Sequence, residues 1–282
     1  MKAKANQYMY STAAEAVEAR RLKGLNKLHN PHSLSYLKPY LSSSKSILEF
    51  GCGSGYLAAD VLSYVNDDTH FIGIDRDPGQ VALSAKAVAS FSNAKILQLD
   101  VLTEFDRIKQ LGPFDLIYCR WVLVHLPNPM QFVQKMLGLL SDKGVFVCEE
   151  CDNRTVEYRP IVTNQLTPTY AKEATKIWSE ISKALMAKLN IDLELTSEKM
   201  VKLFSQASNG KGDIKVEGQY QIIFHGSEEK RLINDGYHSM AATIHKAYGK
   251  ALADFMAPFE ASMNDDNIEA AFLTENVVSY RK

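Results

Sequence analysis

The sequence is short of several things, and each shortage narrows the reading. It has four cysteines in 282 residues, too few for the disulfide framework of a small secreted domain. Nine prolines and 15 glycines are ordinary numbers, which excludes collagen-like and low-complexity chains. Neither sign of charge dominates: 32 basic side chains face 33 acidic ones, a net charge of −1. So balanced a chain exerts no global pull on nucleic acid or an anionic membrane, although a local basic patch stays compatible with it. No run approaches the roughly 18 apolar residues of a membrane span. The opening residues Met1–Asn6 form no apolar signal-peptide core. The expectation is a soluble, cytoplasmic protein that binds neither membrane nor nucleic acid.

What is present is a chain 46% hydrophobic, long enough to bury one large core or two modest ones. Residues 11–29 read as a helix, with Ser11 or Thr12 as its cap and Arg20, Arg21, Lys23 and Lys27 crowding its end. From residue 46 the pattern changes. Short apolar runs at Ser46–Phe50, His70–Asp75, Ala94–Leu99, Phe114–Cys119 and Gly144–Glu149 alternate with helical stretches near 55–65, 78–91, 104–110 and 129–140. Strands separated by helices predict parallel strands joined by crossovers, hence an open α/β sheet. After residue 152 the rhythm breaks. A helix over 168–190 carries Ile177, Ile181, Leu185 and Leu189 at four-residue spacing. A strand-like run follows at Asp213–Phe224, then one long or broken helix over 227–260 interrupted by Gly236 and Gly249, and a final strand at Val277–Tyr280.

The most informative stretch is Glu49-Phe50-Gly51-Cys52-Gly53-Ser54-Gly55, where a buried strand runs into alternate glycines and a helix follows. Glycine there permits a tight turn with positive φ and lets a ligand lie against the backbone. The next helix offers unpaired N–H groups to a polar or anionic ligand. About twenty residues on, the second strand ends in Asp75, where a carboxylate can accept both hydroxyls of a ribose. In the dinucleotide fingerprint the third glycine would fall at Tyr56. Here it stands one residue earlier, at Gly55.

With that spacing the chain resembles the class I S-adenosylmethionine-dependent methyltransferases, whose first motif reads acid-x-G-x-G-x-G. The likeness continues in order through Asp75, Leu99-Asp100-Val101, Phe114–Cys119, the loop Arg120–Pro129 with His125-Leu126-Pro127, and the strand Gly144–Glu150. It is close over about residues 45–152 and rests on element order beyond them. The resemblance implies a Rossmann-like, seven-stranded, mostly parallel sheet with helices on both faces. It adds an N-terminal helical arm (1–45), a cofactor-binding core (46–152), a helical insertion after strand 5 (153–212) and a C-terminal completion of the sheet (213–282). S-adenosylmethionine is the implied cofactor. Gly51, Cys52, Gly53 and Gly55 would face its methionine part, with Glu49 near its ammonium. Asp75 would hold the ribose, while Arg76, Asp100 and Val101 would meet the adenine. Arg120 follows the fourth strand, where methionine and acceptor come together. Tyr8 and Arg21, from the arm, could reach the methionine carboxylate.

His125 is the candidate base, because imidazole titrates near neutrality and could deprotonate an acceptor hydroxyl; it could equally orient its loop. Methyl transfer asks little of side chains, since alignment of acceptor, carbon and sulfur supplies much of the acceleration. No metal is expected. Cys148-x-x-Cys151 has no second such pair, and Asp152-Asn153 lacks the acid after strand 4 that a magnesium site of the family would add. The insertion is expected to cover the acceptor, with Tyr158, Tyr170 and Trp178 reading its shape. The resemblance therefore implies transfer to a small-molecule acceptor by a monomer or homodimer. The alternative is a cofactor-binding, non-catalytic regulatory or interaction module.

Overall fold

The computed structural model describes residues 16–282. Five strands alternate with helices in the first half: β1 (Ser46–Phe50), β2 (His70–Asp75), β3 (Ala94–Gln98), β4 (Phe114–Arg120) and β5 (Leu140–Asp152). A long helix, α1 (Ala16–Leu41), precedes them. Between strands lie α2 (Tyr56–Leu62), α3 (Pro78–Ala87), α4 (Phe105–Lys109) and α5 (Pro129–Gly138). Local chemistry sets the helix starts. Asp77 accepts the Gln80 N–H ahead of Pro78, and Asn128 accepts the Gln131 N–H ahead of Pro129, each an N-cap with proline at the first helical position.

The second half continues with β6 (Glu157–Pro160), α6 (Thr169–Leu189), α7 (Ser197–Ala207), β7 (Asp213–Phe224), α8 (Ser227–Ser239), α9 (Ala241–Tyr248), α10 (Met256–Asn264) and β8 (Ile268–Arg281). The sheet runs β3-β2-β1-β4-β5-β8, parallel from β3 to β5, with β8 antiparallel to β5. β7 pairs with β8 as well, over residues 213–224 against 281–270. The short β6 adds to the start of β8.

Side chains of the central strands alternate between two packed faces, as period-two geometry requires. Leu48, Ile117, Phe146 and Val278 join one core with α5, α6 and α7. Ile47, Leu116, Val145 and Val277 join the other, under α1 and α2. Burial on both faces explains why these strands read as continuous apolar runs.

Three expectations need adjustment. The N-terminal helix runs on to Leu41 through Pro31 and Pro39; its suggested caps, Ser11 and Thr12, lie outside the described residues. Among the described residues the sheet has eight strands rather than seven because β6 is added. The helical stretch after residue 227 breaks at Met240 and at Gly249, the latter left-handed with φ 78°, while Gly236 stays within α8.

Candidate active site

β1 delivers Glu49 to the carboxyl edge of the sheet, and the chain then turns through residues 51–55 into α2. Gly51, Gly53 and Gly55 all have positive φ, 69°, 51° and 77°. The N–H groups of Gly51 and Cys52 both donate to the Ile74 carbonyl, at 2.8 and 3.0 Å, pinning the turn to β2. A Cβ at position 55 would lie 2.6 Å from the Ser84 Cα on α3, so the loop packs backbone to backbone there. Position 53 differs. A Cβ would meet only the Gln80 Oε1, 3.9 Å away, so its glycine serves the left-handed turn and leaves open space above the backbone.

That space belongs to a cavity of about 240 Å³ running along the carboxyl ends of the strands, from Asp100 after β3 to Asn153 after β5. Glu49, Asp75, Arg76, Asp100 and Val101 line one end. Asp75 accepts the Gly53 N–H at 3.0 Å on one oxygen and the Asp77 N–H at 2.9 Å on the other. Each oxygen keeps a lone pair. Burial raises its pKa above the ordinary value, against the pull of those two N–H groups. Glu49 is 4% exposed, and burial pushes its pKa up to about 8 despite the nearby Arg120 cation. The Glu49 Oε2 and the Gln80 Oε1 are buried acceptors without a hydrogen bond among the described residues.

The turn after β4 carries the middle of the cavity. Trp121 has a left-handed φ of 56° and donates its indole N–H to the Glu275 carboxylate at 2.9 Å. Glu150, at the end of β5, accepts the N–H groups of Val122 and Leu123 at 2.8 and 2.7 Å, and of Val124 at 3.4 Å. Its carboxyl group thus satisfies the N–H groups left unpaired at the start of the short 3₁₀ turn Leu123–His125. Burial outweighs these bonds and pushes the Glu150 pKa up to about 8. His125 borders the cavity. Burial, with Arg76 and Arg21 close by, lowers its pKa to about 4. Arg120 donates to the Ser33 hydroxyl and to the side-chain carbonyls of Asn26 and Asn30, binding α1 to the sheet.

The far end is built differently. Trp178, Ile181, Ser182 and Leu185 of α6 meet Leu193, Met240, Phe272, Cys151 and Asn153 there. The chain thus places a glycine loop, a ribose-competent acid and an apolar chamber around one cavity.

A family model described as a methyltransferase domain matches residues 41–209. The chain belongs to the class I S-adenosylmethionine-dependent methyltransferases. S-adenosylmethionine is the cofactor of this family. Among curated relatives, Methyltransferase str3 of Strobilurus tenacellus is 31% identical over 112 residues, 40% of this chain and 37% of that protein. A ubiquinone biosynthesis O-methyltransferase of Glaesserella parasuis is 28% identical over 142 residues, 48% of this chain and 58% of that protein. The matches therefore span only about half of these relatives or less. Among solved structures, a cyclopropane-fatty-acyl-phospholipid synthase-like protein of Lactobacillus casei shares the fold at a TM-score of 0.57. It is 13% identical, with 97% of this chain and 96% of that one covered.

For a methyltransferase of this class, the sequence-derived residues gather well. Glu49, Gly51, Cys52, Gly53, Asp75, Arg76, Asp100, Val101, Arg120, Arg21 and His125 all border the cavity. Gly55 is turned to α3 instead, and Tyr8 lies outside the described residues. Arg21 is held by both Glu18 oxygens at 2.7 and 2.8 Å. Two aromatic residues expected to read the acceptor stand elsewhere. Tyr158 is buried against Phe259, and Tyr170 donates to Asp265; Trp178 alone of the three reaches the cavity.

Sequence reading missed Glu150 and Glu275 as supports of the Trp121 turn, because nothing in local spacing joins β5 and β8 to residue 122. The four cysteines are free and buried. Cys119, Cys148 and Glu150 bring three potential ligand atoms within 4.8 Å of one another. Glu150 is already engaged by backbone N–H groups, and burial raises both thiol pKa values, so this trio is poorly suited to a cation. Asp152 is paired with Arg154 at 2.7 Å.

Proposed function

We propose that this chain transfers a methyl group from S-adenosylmethionine to a small-molecule acceptor, by in-line displacement and without a metal ion. The observation that carries the reading is the shared cavity, polar and carboxylate-lined at the glycine loop and apolar beneath α6. The cofactor, when bound, supplies a methyl already activated on a sulfonium.

The residues fit such a group. Asp75 has one lone pair left on each oxygen, the acceptor set that a ribose diol requires. The unpartnered Glu49 Oε2 is a buried acceptor awaiting a donor, and the cofactor's ammonium is one. Open space above Gly53 lets the methionine part lie on the backbone. Asp100, Val101 and Arg76 border the adenine end, while Arg21, held rigid by Glu18, faces the carboxylate. Arg120 acts through α1, which it holds against the sheet.

His125 is a neutral imidazole at physiological pH, since its pKa is lowered to about 4. It orients the acceptor by accepting a hydrogen bond and is a weak base. The rest of the acceleration comes from alignment in a site screened from water. The ligand set supports metal independence: the turn after β4 offers Arg120-Trp121 rather than an acid, and Asp152 is paired with Arg154. The relative named for ubiquinone biosynthesis supports a small-molecule acceptor.

The test is incubation of the purified chain with methyl-labelled S-adenosylmethionine and the small-molecule fraction of a cell extract, with and without a chelator. Label should pass into that fraction in both arms. Transfer confined to macromolecules, or lost on chelation and restored by magnesium, would contradict the proposal.

A further inference from the structure

The two ends of the cavity differ in charge as well as in shape. Among the described residues, every charged side chain on its wall belongs to α1, to the carboxyl ends of β1, β2 and β4, or to the turns after β2 and β3. The end beneath α6 is walled by Trp178, Ile181, Leu185, Leu193 and Met240, none more than 9% exposed. Burying a charged group there would strip its water with no counter-ion in reach. Polar chemistry at this end comes from Asn153 and Ser182, 8% and 5% exposed. Asn153 Oδ1 accepts only the weak Cys151 S–H donor, at 3.7 Å, and the two side chains share a long bond, Asn153 Nδ2 to Ser182 Oγ at 3.4 Å. Among the described residues the Ser182 hydroxyl has no acceptor for its own proton, so this buried pair is under-satisfied.

We infer that the acceptor is a neutral, predominantly apolar molecule whose body fills the chamber beneath α6, with one hydrogen-bonding group on Asn153 and Ser182. This deepens the methyl-transfer reading and rests on it. Trp178 and Ile181 select the apolar body, because a charged analogue loses hydration that the chamber does not replace. Asn153 and Ser182 select the polar group, a hydroxyl or carbonyl, by completing their own hydrogen bonds through it.

The chain carries two tryptophans, Trp121 and Trp178, and both line the cavity, so intrinsic emission reports on its filling. The full chain, saturated with S-adenosylhomocysteine, is titrated with 4-propylphenol, with tyramine as a cation of nearly equal shape, and with 4-hydroxyphenylacetate as an anion. Saturable binding of 4-propylphenol is expected, with both charged probes at least tenfold weaker. Ile181→Asp should weaken 4-propylphenol at least tenfold while leaving S-adenosylhomocysteine affinity, measured by calorimetry, within about threefold. Should that variant not fold, Ser182→Ala carries the same test, with an expected loss of at least threefold. Absence of saturable 4-propylphenol binding, equal or tighter binding of a charged probe, or a folded variant without effect would overturn the inference. Failure of S-adenosylhomocysteine to bind would instead sink the methyl-transfer reading. The order of the three probes, measured also without it, would still decide the chemistry of the chamber.

Discussion

Glu49 shows how far a single residue can be displaced from its ordinary chemistry. Its carboxyl is buried and one oxygen lacks a partner, so its pKa is pushed up to about 8 and it is mostly protonated at neutral pH in the free protein. An ammonium placed against it favours the charged form. Cofactor binding near pH 7 should therefore release a proton, and affinity should rise as pH climbs toward about 8. Calorimetry in buffers of different ionisation enthalpy measures that release directly; in Glu49→Gln it should vanish and affinity should fall about tenfold. His125 makes the opposite prediction. With its pKa lowered to about 4, it stays neutral across the working range, so kcat should show no imidazole step between about pH 6 and 8. His125→Ala should lower kcat less than about tenfold, where loss of a true general base costs about a hundredfold or more.

Among the elements, the glycine loop separates two roles that its sequence presents alike. Gly53→Ala meets no clash and pays only for a left-handed φ, about 1–2 kcal/mol, yet it puts a methyl where the cofactor would lie. It should stay folded and bind S-adenosylmethionine at least tenfold more weakly. Gly55→Ala adds a 2.6 Å approach to the Ser84 backbone and should be destabilised more, by about 2–4 kcal/mol. Chemical denaturation of both variants checks the order. The central strands β1, β4 and β5 were legible because burial on both faces leaves a continuous apolar run, whereas the edge strand β3, with no fully buried residue, was legible from its place between two helices. β6 was not: four residues, Glu157-Tyr158-Arg159-Pro160, carry no periodicity, and they pair only because β8 extends past the end of β5. The break between α8 and α9 was misplaced because Gly236 packs inside the helix near Arg21, where a small residue is tolerated. α7 lies in the segment expected as a cap, but its Phe204 stacks on Phe146 of the sheet at 5.3 Å; amphipathic spacing alone cannot say which surface a helix covers.

For the molecule as a whole, the residues at the carboxylate-lined end of the cavity could be found in the sequence because they stand at the ends of consecutive strands at regular intervals. The supports beneath it were not, since Glu150 and Glu275 reach the Trp121 turn from strands that only the folded sheet brings together. Those buried acids have a global consequence. Glu49 and Glu150 both titrate at about 8 when folded, against 4.5 ordinarily, so the folded chain holds protons that the unfolded chain has released. Their contribution to stability is full below about pH 4.5 and is lost as pH rises through about 8. The denaturation midpoint should therefore fall between about pH 5 and 8.5, and Glu150→Gln should flatten that slope by an amount on the order of 1 kcal/mol or more. The central claim is that the carboxyl end of the sheet holds S-adenosylmethionine through Asp75 and the glycine loop. Calorimetric titration of wild type and Asp75→Ala side by side tests it most directly. The account predicts one site per chain in the wild type and at least tenfold weaker binding in a folded Asp75→Ala; equal affinity in the two proteins would contradict it.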